Sequence, residues 1–123
     1  MSAERRPRNP RAQFGVDFDY TGESTSLLLH GELDALSAPA FRAALLTLAD
    51  RENRVVSIDL SGLVFCNING LRAMAELAAR VNANGGRVEI VSPDVLTRML
   101  ELSDLASMFV IREPNSGHLA RIA

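Results

Sequence analysis

The sequence predicts an α/β fold in a single domain: a mainly parallel central sheet with an N-terminal edge hairpin and helices packed on it. Three observations carry that expectation. Stretches that read as strands are separated, three times, by segments whose apolar residues recur at helical spacing, at i, i+3, i+4 and i+7 in the first two. Hydrophobic residues make up 47% of the chain and charged residues 23%, which is ordinary folded composition. At 123 residues there is room for one core and no second domain.

Phe14, Val16, Phe18 and Tyr20 alternate with Gly15, Asp17 and Asp19, the period of a half-buried strand at a sheet edge. Thr21-Gly22-Glu23-Ser24 supplies turn chemistry, and a second strand follows through Leu27, Leu28 and Leu29 to His30-Gly31. Ser37-Ala38-Pro39 opens a helix, with Ser37 as its cap and Phe41, Ala44, Leu45 and Leu48 on one face. Val55 to Leu60 is a β-branched run that reads as an interior strand covered on both faces. A loop through Ser61-Gly62 and Phe65-Cys66 leads to a second helix lined by Leu71, Met74, Ala75, Ala78 and Val81. Asn84-Gly85-Gly86 stops it. Val88, Ile90 and Val91 make the next strand. Ser92-Pro93-Asp94 repeats the cap-then-proline start, and Val95, Leu96, Met99 and Leu100 line a third helix. Met108 to Ile111 reads as a last short strand, and residues 116–122 as a terminal helical turn or a frayed end.

Charge divides the chain unevenly. Residues 1–12 hold Arg5, Arg6, Arg8 and Arg11 against Glu4, a net of +3, which leaves −5 for the rest of a chain whose total is −2. Residues 1–12 therefore read as a disordered Arg-rich tail and 13–123 as the domain. An acidic body argues against a nucleic-acid partner. The single cysteine, Cys66, excludes an internal disulfide framework. No run approaches the roughly 20 apolar residues of a membrane span, and MSAERRPRNPRAQ lacks the apolar core of a secretory signal. A cytoplasmic protein is the expectation.

Catalytic chemistry is hard to assemble. His30 and His118 have no metal-ligand spacing, Gly85-Gly86 lacks the lysine and hydroxyl of a phosphate loop, and no nucleophile elbow occurs. No catalytic residue, metal or cofactor is expected. The informative stretch is VSIDLSGLVFCNINGL, residues 56–71, where a strand gives way to a helix start rich in unpartnered backbone N–H groups. Asn67 or Asn69 can cap that start. Ser61 reads as a residue of a local turn and Cys66 as a small buried hydrophobe.

At this point the residues resemble a family. Gly31-Glu32-Leu33-Asp34 before an amphipathic helix is similar to the opening of the STAS domain, and Val55 to Gly62 followed by Phe65 to its central strand and loop. Gly70-Leu71-Arg72, Gly85-Gly86-Arg87-Val88, Val91-Ser92-Pro93 and Leu96 to Phe109 continue in register, so the likeness spans roughly residues 14–111. A free-standing domain of this size is most similar to the bacterial anti-sigma factor antagonists. That resemblance implies a binding module, not an enzyme, that docks an anti-sigma factor of the serine-kinase type and so regulates transcription. It also implies a switch serine or threonine just before the glycine of the helix start. Here that position is Asn69, which cannot accept a phosphoryl group, and the acid aligned two residues earlier is Asn67. The expected partner surface is Glu32, Leu33, Asp34, Asn67, Ile68, Asn69, Gly70 and Leu71, with Ile68 as apolar anchor and Asp34 holding its loop. Regulation is either lost or moved to another residue such as Ser61 or Cys66. Two alternatives stand beside it: a STAS regulatory subunit of a lipid ABC-transporter assembly, and a small-ligand or nucleotide sensor.

Overall fold

The computed structural model describes residues 13–51 and 54–114. The Arg-rich segment 1–12 and the expected turn at 116–122 lie outside these residues. Strand β1 (Gly15–Thr21) and strand β2 (Ser24–Leu33) form the expected antiparallel hairpin. Gly22, at φ +60°, takes the left-handed position in the two-residue turn between them. Helix α1 (Ala38–Ala49) leads to β3 (Val55–Cys66), helix α2 (Ile68–Ala83) to β4 (Arg87–Val91), and helix α3 (Asp94–Leu102) to β5 (Val110–Arg112). A single 3₁₀ turn, Ala106–Met108, precedes β5.

The sheet order is β1-β2-β3-β4-β5, with β2 to β5 parallel throughout. Each parallel strand is the spatial neighbour of the next in sequence. Right-handed crossovers therefore bring all three helices to the same face of the sheet. The burial pattern agrees. Leu27, Leu29 and Leu33 of β2, Val56, Ile58 and Leu60 of β3, and Val88 and Ile90 of β4 are buried against Phe41, Leu45, Leu71, Met74, Leu77 and Leu100. The residues between them, Ser26, Leu28, Ser57, Asp59, Glu89 and Val91, are exposed or half-buried.

Strand β3 differs from the expectation twice. It is covered on one face only, because Ser57 and Asp59 lie on the uncovered side. It also continues past Leu60 to Cys66, through two register shifts against β2. Leu28 pairs with Asp59 but His30 with Gly62, and Gly31 pairs with Leu63 but Glu32 with Phe65, so β3 gains one residue at each shift. Such bulges twist a strand and re-aim its side chains. Helix α3 also departs from expectation. Pro93 is its cap residue, while Ser92 is fully buried and accepts from the Thr97 hydroxyl at 2.9 Å.

Candidate functional site

All three helices begin at the carboxyl ends of the parallel strands, the edge where open α/β sheets present their sites. Two of these helix starts lie side by side. Asn67 caps α2 from an extended backbone (φ −74°, ψ 149°), and its Oδ1 accepts the Asn69 N–H at 2.6 Å. The Asn67 N–H donates to Leu33 O at 2.7 Å, which ties the start of α2 to the end of β2. The first turn of α2 can press this close to β2 because residue 70 is glycine. A Cβ there would stand 2.5 Å from Leu33 Cδ2.

The turn from β2 into α1 is built around Asp34. Its Oδ1 accepts the N–H groups of Leu36 and Ser37, each at 3.0 Å. The Ser37 hydroxyl accepts the Asp34 N–H at 2.9 Å and stands 3.0 Å from Asp34 Oδ1. Ser37 occupies the cap position of α1 but makes no side-chain cap bond, so the cap expected from its hydroxyl is replaced by this reciprocal turn. Hydrogen bonds from Ser37 hold the Asp34 carboxyl below the usual carboxylate range. The turn lifts Leu36 into solvent at 91% exposure. Asn69, exposed, borders a shallow depression with Ala35, Ala38, Pro39 and Arg42. Arg42 reaches across to Glu76 of α2 through two bonds of 2.7 and 3.1 Å, which fixes the two helices side by side.

On the other side of the α2 start runs an apolar groove of about 530 Å³, lined chiefly by Leu63, Val64, Phe65, Ile68, Val95 and Met99. Val64, Phe65 and Val95 are 58%, 52% and 67% exposed. The groove exists because the second bulge of β3 places Val64 and Phe65 outside while Cys66 returns to the core. Val95, expected on the core face of α3, instead faces outward.

The eight residues expected at the partner surface separate into two sets. Asn69 is exposed, and Glu32, Asp34, Asn67 and Ile68 are half-buried, so these five reach the surface. Leu33, Gly70 and Leu71 are buried in the core and support the surface from beneath. Ile68 packs partly against the core as one wall of the groove rather than projecting freely. Val64, Val95 and Leu36 escape sequence reasoning as surface residues, since residue type alone assigns apolar side chains to the interior. Ser61 makes the local turn expected of it, its N–H and hydroxyl both donating to Asp59 Oδ1 at 2.9 and 2.6 Å. Cys66 is 4% exposed, and burial pushes its thiol up to about 12, so it stays protonated and unreactive at neutral pH.

Among the described residues no group of three or more His, Cys, Asp and Glu side chains is placed to hold a metal ion, and no helix is long and apolar enough to cross a membrane. What this edge offers is a rigid, hydrogen-bonded pair of helix starts beside an apolar groove, an arrangement suited to contact with another macromolecule.

Solved structures share this architecture. An anti-sigma factor antagonist from Mycobacterium paratuberculosis superposes with a TM-score of 0.71 at 20% identity, covering 90% of this chain and 95% of that one. The unphosphorylated anti-sigma factor antagonist SpoIIAA, a Bacillus cell-fate determinant, gives 0.67 at 17% identity, covering 89% and 97%. The antisigma-factor antagonist STAS domain from Rhodobacter sphaeroides gives 0.55 at 25% identity, covering 66% and 88%. No curated protein sequence matches the chain. The family model described as "Mlab, STAS domain" matches residues 16–112, from the second residue of β1 to the end of β5. The chain belongs to the STAS domain family.

Proposed function

We propose that this STAS domain is a non-enzymatic, cytoplasmic binding module that docks an anti-sigma factor of the serine-kinase type and thereby regulates sigma-dependent transcription. The observation that carries the reading is the apolar groove beside the α2 start, where Phe65, Val64 and Val95 stand exposed around Ile68. Aromatic and aliphatic anchors at the centre of a desolvated patch supply most of the binding energy in protein interfaces. Asn67 and Asn69 supply polar contacts at one rim, and the Asp34 turn holds Glu32 and Leu36 at the next. With an amide at position 69, no hydroxyl stands within the first turn of α2, so a phosphoryl group cannot switch this surface as it would a serine.

Titration against purified candidate anti-sigma kinases tests this. Phe65→Asp, at a half-exposed site that tolerates charge without unfolding, is expected to weaken binding more than about tenfold, as burying an unpaired carboxylate would require. Ile68→Asp is expected to do the same. Unchanged affinity in Phe65→Asp would overturn the surface assignment. Intact mass after incubation with kinase and ATP is expected to show no added phosphate.

A second reading, the regulatory subunit of a lipid ABC-transporter assembly, is favoured by two observations: the matching family model carries the name Mlab, and Asn69 leaves the surface in one charge state. Co-purification with an ATPase instead of a kinase would decide for it.

A further inference from the structure

The two edges of the sheet are finished differently. Strand β5 is three residues long and ends on Arg112, a short, charged edge of the kind that resists further pairing. Strand β1 runs for seven residues, and among the described residues no strand pairs with its outer side. It carries no proline, lysine or arginine, and its ladder with β2 runs from Gly15 to Thr21 without a bulge. The two-residue turn closes on the pair Thr21 and Ser24. Alternation along an antiparallel ladder then turns the backbone N–H and C=O groups of Val16, Phe18 and Tyr20 away from β2. On the helix side of this edge the Phe18 and Tyr20 rings stack in solvent, 6.0 Å apart with planes inclined by 5°, and the Arg51 guanidinium lies 4.4 Å from the Tyr20 ring centre. On the uncovered side Asp17 and Asp19 stand exposed at the border of a hollow of about 470 Å³. Asp17 lies 3.9 Å from His30, and among the described residues neither carboxylate has an arginine at ion-pair distance.

We propose that β1 is a docking edge for an extended segment of a partner protein in which apolar residues alternate with arginine or lysine. The outward backbone groups of Val16, Phe18 and Tyr20 supply the pairing, and the side chains on either face supply the selection. Residues opposite one another in a ladder share a face. The segment's apolar side chains therefore lie beside Phe18 and Tyr20, and its basic ones stand opposite Asp17 and Asp19. The hollow beside those carboxylates gives long basic side chains room. The same charges disfavour a second copy of the chain. Antiparallel self-pairing centred on Phe18 sets Asp17 of one copy against Asp19 of the other, twice. Centred on Asp17 or on Asp19, it sets that carboxylate against itself. Like charges directly opposite are destabilising, whereas opposite charges there are favourable. Charge complementarity thus selects a basic occupant. The edge is separate from the groove, which no residue of β1 lines.

The probe is the peptide TRVRFRVRT, titrated into the full, isotope-labelled chain. With peptide at about ten times its Kd, hydrogen exchange at the outward amides of Val16, Phe18 and Tyr20 is expected to slow about tenfold. The amides of Asp17 and Asp19, which already face β2, are expected to keep their rates. That alternation is the signature of strand addition. The surface double variant Asp17→Asn/Asp19→Asn, its fold checked by unchanged amide dispersion, is expected to weaken binding about fivefold. The acidic peptide TEVEFEVET is expected not to bind, and Phe65→Asp in the groove to leave the affinity for TRVRFRVRT unchanged. Protection without alternation, equal affinity for the acidic peptide, unchanged affinity in the double variant, or shifts centred on Phe65 and Val95 would overturn the proposal. So would protection of the same amides that rises with protein concentration in the absence of peptide, which would assign the edge to a second copy.

Discussion

Leu28 and Leu29 are neighbours in one strand, identical in chemistry, and live on opposite faces of the same sheet. Leu29 is fully buried beneath the helices, whereas Leu28 is 44% exposed on the uncovered side. Nothing in either residue decides this. The decision comes from topology: each parallel strand neighbours the next, so every right-handed crossover lays its helix on the same side. One face becomes a close-packed core, and the other is left to polar side chains and to whatever binds there. The strand-to-helix edge where the two faces meet carries the proposed docking surface.

That contrast can be broken most sharply at the leucine pair. Leu29→Ala is expected to cost about 2–5 kcal/mol in urea unfolding, through lost burial and an unfilled cavity. Leu28→Ala is expected to cost less than about 1 kcal/mol. Equal losses would mean that the uncovered face is packed in solution. A smaller effect is expected at the start of α2. Gly70→Ala forces a methyl to 2.5 Å from Leu33 Cδ2, so this fully buried side chain must repack, and the change should destabilise by about 1–3 kcal/mol. Ser57→Ala, on the uncovered face, is expected to change stability by no more than about 0.5 kcal/mol. If Gly70→Ala proves neutral, the close approach of α2 to β2 is not tight.

The fold is legible in the sequence because its signals are local. The period-two run of β1, the turn at Gly22 and the apolar stripe Leu71, Met74, Ala75, Ala78 and Val81 each show in a few consecutive residues, and each element lies where the pattern puts it. The far half of β1, however, is not half-buried as expected: Phe18 and Tyr20 are 39% and 49% exposed at the sheet edge. The candidate site is only half legible, because its shape depends on pairing. Val64 and Phe65 reach the surface through a bulge that shows only when β3 is set against β2. Leu33 and Leu71 belong to the expected surface and are buried instead, because burial depends on the neighbouring element and not on position along the chain. For β3 a usable signal is present: Ser57 and Asp59 alternate with Val56, Ile58 and Leu60, and two polar residues in that phase mark an uncovered face.

The mildest test lies at the edge joining the two faces, where the starts of α1 and α2 differ in one atom type. Asp34 holds the turn into α1 with a carboxylate, and Asn67 holds the turn into α2 with an amide. Only the first can titrate. Hydrogen bonds from Ser37 lower the Asp34 pKa in the folded chain below its ordinary value of 3.8, so the folded state favours the ionised form more than the unfolded chain does. Its contribution is therefore complete at pH values above the unfolded pKa and disappears as pH falls through the folded pKa. Asp34→Asn keeps an oxygen acceptor for Leu36 and Ser37 but removes that dependence. The variant is expected to be less stable than the parent at pH 7, with the gap between their urea midpoints closing as pH drops below the ordinary carboxylate range. Glu76, lowered by its bond to Arg42, titrates with the same sign in both proteins and cancels from the difference. A gap of constant size from pH 7 to pH 2.5 would show that the turn is held by shape alone, and the two helix starts would then be equivalent despite their different chemistry.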